Sequence, residues 1–240
     1  MQKFIQCERL EELGWLVHGS TTRLFNPEPG GKKEELAKVA KLRTIQPKSY
    51  VFANQKHTNH AVFLCREQLK KDIREFYIHE NTDAVGTDAP GVLAGVFTAD
   101  CIPLFLVDAK NRKLMLVHSG WRGTLGKIAQ NALKLLIETG TDPKNVIAWL
   151  GPAIGICCYI VSLELAEKFA KIFPSIPDAV RGRYLDLKAI NAFQLEQNGV
   201  LPQNIIISPV CTKCQFETFY SYRAQGRLKG RIINFAMIKD

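Results

Sequence analysis

Val92-Leu93-Ala94-Gly95-Val96-Phe97-Thr98 runs through Ala99-Asp100 into Cys101-Ile102-Pro103-Leu104-Phe105-Leu106-Val107. After the polar stretch Asp108-Ala109-Lys110-Asn111-Arg112-Lys113, a second apolar run, Leu114-Met115-Leu116-Val117, ends at His118-Ser119-Gly120-Trp121-Arg122-Gly123-Thr124. The pattern reads strand, strand, turn, strand, glycine-rich loop and helix start. A turn centred between Lys110 and Asn111 sets His118 opposite Pro103, diagonal to Cys101. Side chains alternate along a strand, so Cys101, Pro103 and His118 share a face, with diagonal neighbours about 7–8 Å apart. An extra loop residue would reverse that parity. Pro103 lacks an amide donor and interrupts the ladder beside Cys101, opening that end of the hairpin.

Further short segments rich in branched or aromatic residues flank this hairpin: Tyr50–Ala53, Ala61–Leu64, Val146–Leu150, Ile205–Ile207 and Arg231–Ile238. Helical periodicity runs from Leu125 to Thr139, from Ser162 to Phe173 and from Asp186 to Asn198. Ser162 and Asp186 are able to cap N-termini, and Gly140 and Gly199 stop the first and third. Asn26-Pro27-Glu28-Pro29-Gly30-Gly31 reads as a loop. Strands outnumber helices without strict alternation, so a mixed α/β or α+β arrangement is expected, as one domain over residues 1–240.

The chain has 240 residues, 46% hydrophobic and 23% charged, which excludes collagenous, mucin-like and largely disordered classes. Its formal charge is +9, but the excess is +4 in residues 1–80, +1 in 81–160 and +4 in 161–240, with no run of five like charges. That is a solvated basic surface rather than a nucleic-acid footprint. No 18-residue apolar stretch or signal-like N-terminus occurs, so a cytoplasmic protein without membrane partner is expected. Seven cysteines fit free or metal-bound thiols better than a disulfide framework.

Cys101 and His118 lie within reach of a shared metal or proton, and a third ligand must come from elsewhere. The Gln55-Lys56-His57-Thr58-Asn59-His60 loop offers two histidines, while His18 and His79 have less context. Cys211-x-x-Cys214 is half of a zinc knuckle without a second half at the usual spacing, and two structurally packed thiols are expected there. Phe219-Tyr220-Ser221-Tyr222-Arg223 reads either as a stacking wall with a phosphate clamp or as a buried strand edge.

Four ordered motifs, Thr98-Ala99-Asp100-Cys101-Ile102-Pro103, His118-Ser119-Gly120-Trp121-Arg122-Gly123, Gly151-Pro152-Ala153-Ile154-Gly155 and Tyr220-Ser221-Tyr222-Arg223, resemble the signatures of the YfiH/laccase-domain family. Gln55-Lys56-His57 is similar to that family's Gln-Val-His motif. The resemblance implies that His57, rather than His60, joins Cys101 and His118 in binding one zinc. It also implies a sandwich of mixed sheets with outer helical layers. The implied activity is that of a zinc-dependent purine nucleoside phosphorylase on adenosine, inosine and S-methyl-5'-thioadenosine, with adenosine deaminase activity, acting as a monomer or weak homo-oligomer. Departures from the pattern are Lys56, Ser119, Ala224 and the loop after Thr21-Thr22-Arg23.

A His2Cys set with one open position suits catalytic zinc. Arg122, the adjoining helix N-terminus, Tyr222 and Arg223 are the candidates for phosphate and substrate, and Asp100 for orienting a ligand or handling a proton. Two other chemistries stay open. One is a metal-free amide hydrolase in which Cys101 attacks and His118 is its base, as in peptidoglycan-precursor editing. The other is a copper polyphenol oxidase, for which five histidines are few and Met115 points away from His118. A non-enzymatic zinc module is a further alternative.

Overall fold

The structure, a computed structural model, describes residues 2–25, 31–71, 75–226 and 230–240. Most of the expected Asn26–Gly31 loop lies outside the described residues. The strands are β1 (Phe4–Ile5), β2 (Leu16–Thr21), β3 (Ser49–Asn54), β4 (Ala61–Leu64), β5 (Phe76–Glu80), β6 (Ala84–Thr87) and β7 (Val92–Thr98). They continue with β8 (Ile102–Asp108), β9 (Lys113–Ser119), β10 (Val146–Leu150), β11 (Val180–Arg181), β12 (Tyr184–Leu185), β13 (Ile205–Ile207) and β14 (Ile232–Ile238). The helices are α1 (Glu8–Glu11), α2 (Lys32–Leu42), α3 (Arg66–Lys71), α4 (Trp121–Leu125), α5 (Ile128–Glu138), α6 (Leu163–Ile172), α7 (Leu187–Glu196) and α8 (Tyr222–Gln225).

Two six-stranded mixed sheets, ordered β1-β2-β14-β7-β3-β5 and β13-β10-β8-β9-β6-β4, stack face to face. The central core holds Val51, Ala94, Val96 and Ala236 from the first sheet against Phe105, Val107, Leu114, Leu116 and Trp149 from the second. Side-chain alternation sends Leu104, Leu106, Met115 and Val117 to the opposite face, where they pack on α5, α6 and α7. The outer face of the first sheet, with Phe52, Leu93, Phe97 and Phe235, is covered by Leu36, Val39 and Ala40 of α2. The architecture is therefore helix, sheet, sheet, helix, which agrees with the expected α+β sandwich of mixed sheets with helical outer layers. Strands such as β8, buried at every residue, must be apolar on both faces, which explains their continuous hydrophobic runs.

The β8–β9 register pairs Pro103 with His118, as the even turn requires. Asp108 closes that turn by accepting from the backbone N–H groups of Lys110 and Asn111 at 3.0 and 2.9 Å. Ser162 caps α6 by accepting from Leu165 N, and Asp186 caps α7 through Ala189 N. The helix expected over Leu125–Thr139 is α5, which begins later, at Ile128. Lys127, with φ 61°, separates it from α4, a five-residue helix formed within the glycine-containing motif itself.

Candidate metal centre and substrate face

Three chain segments meet at one end of the sandwich. His57 follows β3 of the first sheet, Cys101 lies in the crossing from β7 to β8, and His118 closes β9 of the second sheet. One ligand atom from each lies within 4.8 Å of the others. His57 Nε2 is 3.9 Å from Cys101 Sγ, close to the separation of about 3.6 Å for a nitrogen and a sulfur on one tetrahedral zinc. The two imidazoles meet edge to face with centroids 4.9 Å apart. Glycine is needed at position 120, because a Cβ there would stand 2.9 Å from Cys101 Sγ and 3.1 Å from His57 Cδ2.

A residue that the sequence reading missed holds the cluster. Asp83, fully buried, accepts from His118 Nδ1 at 2.7 Å, which leaves Nε2 of that ring for a ligand. The same carboxylate accepts from the backbone N–H groups of Lys56, His57 and Thr58 and from the Thr58 hydroxyl. It thereby fixes the turn in which His57 adopts φ 61°. Burial alone would raise Asp83, yet its bonds to His118 and Thr58 bring it down to about 2. Burial opposes ionisation of the pair above it as well. The His118 charge and bonds from both imidazoles nevertheless lower the Cys101 thiol to about 6, and the thiolate and Asp83 raise His118 to about 9. Asp83 sits outside every motif, 35 residues from His118, and local pattern carried no signal for it.

Gln55 serves a different purpose. Its amide donates to Phe97 O at 2.7 Å and accepts from Phe97 N at 2.9 Å, extending the β3–β7 pairing beyond the end of β3. Ser119, a departure from the motif, is absorbed by structure: its hydroxyl is 2.8 Å from Asn191 Oδ1 and 3.1 Å from Thr124 Oγ1. These bonds tie the start of α4 to α7.

Asp100 has φ 89° and accepts from Thr212 Oγ1 at 2.6 Å and Arg223 N at 2.7 Å. Its carboxylate is thus occupied in docking the C-terminal segment, while ligand orientation falls to Asp83. Arg223 stacks on Tyr159, 4.8 Å from the ring centroid, and donates to Ile160 O. Arg122 stacks on Trp121 at 4.3 Å. Both arginines are exposed, and neither forms an ion pair among the described residues. Burial and then the Cys101 and Asp100 charges push Tyr159 up to about 12, against the opposing pull of Arg223 and Arg122. Tyr159 therefore lies within electrostatic reach of the thiolate and of both guanidiniums, and sequence reading missed it too. Phe219 is buried, whereas Tyr222 is 59% exposed at the start of α8, so this segment is a loop and a short helix rather than a strand edge.

His60 is outside the cluster, and its backbone carbonyl accepts from Asp83 N at 3.0 Å. His18 is buried against Phe105 and Trp149. Residues 29–239 match the family described as multi-copper polyphenol oxidoreductase laccase. The chain belongs to this YfiH-type family of enzymes. Among its relatives, purine nucleoside phosphorylase YlmD of Bacillus subtilis (strain 168) is 29% identical over 84% of this chain and 75% of its own length. Adenosine deaminase RL5, from an unknown prokaryotic organism, is 35% identical over 63% of this chain and 60% of its own length. Mouse purine nucleoside phosphorylase LACC1 is 34% identical over 67% of this chain, a match that spans 39% of that protein. The solved structure of hypothetical protein YfiH from Bacillus licheniformis superposes with a TM-score of 0.82 at 26% identity, covering 95% of each chain. Among the described residues, no helix is long and apolar enough to cross a membrane.

Proposed function

We propose that the protein is a zinc-dependent purine nucleoside phosphorylase that also deaminates adenosine, with adenosine, inosine and S-methyl-5'-thioadenosine as substrates. The observation that carries this reading is the His57–Cys101–His118 cluster, exposed at His57 and oriented by Asp83, with Arg122 four residues after His118 and Arg223 held by Asp100 next to Cys101; both arginines are exposed and have no acidic partner among the described residues. The donor set fits zinc, since two imidazoles and one thiolate leave a net positive site with an open position. A zinc ion bound there supplies Lewis acidity, able to lower the pKa of a water or polarise a leaving base.

The chain's own residues do the rest. Asp83 holds the proton on Nδ1 of His118, so Nε2 is the nitrogen that faces the site and the one that would give up its proton on binding a metal. Arg122 and Arg223 offer planar, bidentate donors to phosphate, and their stacking on Trp121 and Tyr159 limits the freedom lost on binding. Tyr222 presents an exposed ring for a purine face or ribose. Asp100 acts as a positioning residue, because its bond to Arg223 N sets where that guanidinium emerges. The five-residue α4 is too short to give a strong dipole, so the phosphate contact rests on the arginines rather than on a helix N-terminus. Substrates are small anionic or neutral molecules, with no nucleic-acid or membrane partner, in a cytoplasmic monomer or weak homo-oligomer.

A second reading has one specific observation in its favour. Cys101 lowered to about 6 beside His118 raised to about 9 is the charge state of a thiolate–imidazolium nucleophile. A metal-bound thiolate is a poor free nucleophile, so metal content separates this amide hydrolase from the phosphorylase. Copper oxidase chemistry has less support: among the described residues one cluster alone contains histidine, and Met115 is buried on the helix-facing side of its sheet.

The test is metal analysis of the purified protein together with incubation with adenosine, with and without phosphate. Zinc with phosphate-dependent adenine and ribose 1-phosphate, plus phosphate-independent inosine, is the expected result. Metal-free protein that turns over no nucleoside would reject the proposal.

A further inference from the structure

By spacing alone Cys211 and Cys214 are two packed thiols, and Cys157-Cys158 are vicinal in the sequence. The fold brings all four together, in a group separate from the His57–Cys101–His118 cluster. Cys157 and Cys158 lie in the turn that follows the Gly151–Gly155 loop after β10, and Cys211 and Cys214 lie in the turn after β13. Parallel bridging of Ala153 with Cys211, and a bond from Thr212 N to Ala153 O at 3.1 Å, hold the two turns side by side.

Every sulfur lies within 4.8 Å of the other three. Cys158 Sγ is 3.4 Å and Cys157 Sγ is 3.7 Å from Cys214 Sγ. Four thiolates at about 2.3 Å around a tetrahedral ion sit about 3.8 Å from one another, whereas bonded sulfurs sit about 2.0 Å apart. Gly155 N donates to Cys211 Sγ at 3.3 Å, a bond that favours the thiolate.

We propose that Cys157, Cys158, Cys211 and Cys214 form a second, structural zinc site. Four sulfur donors select zinc or iron among the common metals, and the exposure of Cys157 and Cys214 favours the redox-inert ion. Its role follows from what it joins. One turn leads directly into Tyr159, and the other carries Thr212, whose hydroxyl grips Asp100, and runs on to Arg223. An ion here locks the two segments that present the tyrosine and arginine beside the first cluster. The spacing differs from a zinc knuckle because a vicinal pair replaces the first Cys-x-x-Cys.

The experiment is zinc per chain, by mass spectrometry of protein purified under reducing conditions from zinc-supplemented medium. About two ions are expected in the wild type, about one in Cys101→Ala, and about one in the double variant Cys158→Ser/Cys214→Ser. Should the double variant not fold, Cys101→Ala loaded with Co2+ provides the readout, through the intense sulfur-to-metal charge-transfer absorption of a four-thiolate site. Cys101→Ala protein that carries no zinc, or carries iron, or shows a disulfide among these four cysteines, overturns the proposal. One zinc in the wild type that survives Cys101→Ala but not the double variant would instead uphold this site and reject the catalytic one.

Discussion

His118 Nδ1 lies 2.7 Å from Asp83 Oδ1, and both side chains are removed from solvent. This one contact fixes the orientation of a candidate ligand on β9 from a residue that also binds the backbone of His57. Asp83→Asn keeps the shape but loses one charge and one acceptor oxygen. The expected result is zinc affinity weaker by about 10–100-fold in chelator competition, with His57 less well ordered. Unchanged affinity would mean that Asp83 is only a turn-former.

Cys101→Ala removes the thiolate from the three-ligand set. Loss of the catalytic zinc and of both phosphorolysis and deamination is expected, measured by metal analysis and product chromatography. Undiminished phosphorolysis in that variant would refute the role given to the cluster.

Arg122→Met and Arg223→Met distinguish the two activities. If these side chains bind phosphate, each raises the KM for phosphate by about 10-fold or more, the scale of a charge-assisted hydrogen bond of about 1.5–3 kcal/mol. Deamination, which uses no phosphate, retains its rate. An equal fall in both activities would point to a general structural effect.

Gly120→Ala adds a methyl group 2.9 Å from Cys101 Sγ and 3.1 Å from His57 Cδ2. The neighbours are two of the three candidate ligands, so the added group displaces them. Zinc binding should fall sharply while the circular dichroism spectrum stays close to wild type; retained metal affinity would show that the loop adjusts.

His18 supplies a pH dependence remote from the catalytic cluster. Burial, then the Arg43 charge, lower it from 6.5 to about 4, and the bond that its Nε2 accepts from Cys7 N at 3.0 Å requires the unprotonated ring. Its folded pKa is depressed, so the neutral ring contributes stability that is complete above pH 6.5 and is lost as pH falls toward 4. Between pH 7 and 4.5 the wild type should lose on the order of 2–3 kcal/mol more than His18→Asn, read by urea unfolding. Parallel pH profiles would show that His18 is protonated in the fold.

The legible features are those with a local cause. Period-two alternation and an even turn set the β8–β9 register, and Ser162 and Asp186 were readable as caps because the cap reaches only three residues forward. Features that depend on packing were not. The run Leu125–Leu136 has a continuous apolar stripe, yet Gly126 and Lys127 break it where α4 must dock on α7 through Thr124, Asn191 and Gln194. Strands β2 and β6 escaped notice because His18, Ser20, Thr21 and Thr87 are polar, although each is buried. Ser20 and Asn234 satisfy one another across the β2–β14 pair at 2.6 Å, a pairing that spans 214 residues of chain.

Sequence by itself determined the register of the hairpin: Pro103 faces His118, with Cys101 one residue before β8, because side chains alternate and the turn is even. Tertiary structure alone decided what surrounds them. Asp83 reached His118, Tyr159 reached Arg223, and a vicinal cysteine pair reached Cys211 and Cys214 only because separate loops converge at the edges of stacked sheets. Such meetings are set by how the sheets and helices bury their apolar faces, and no periodicity within any one segment encodes them.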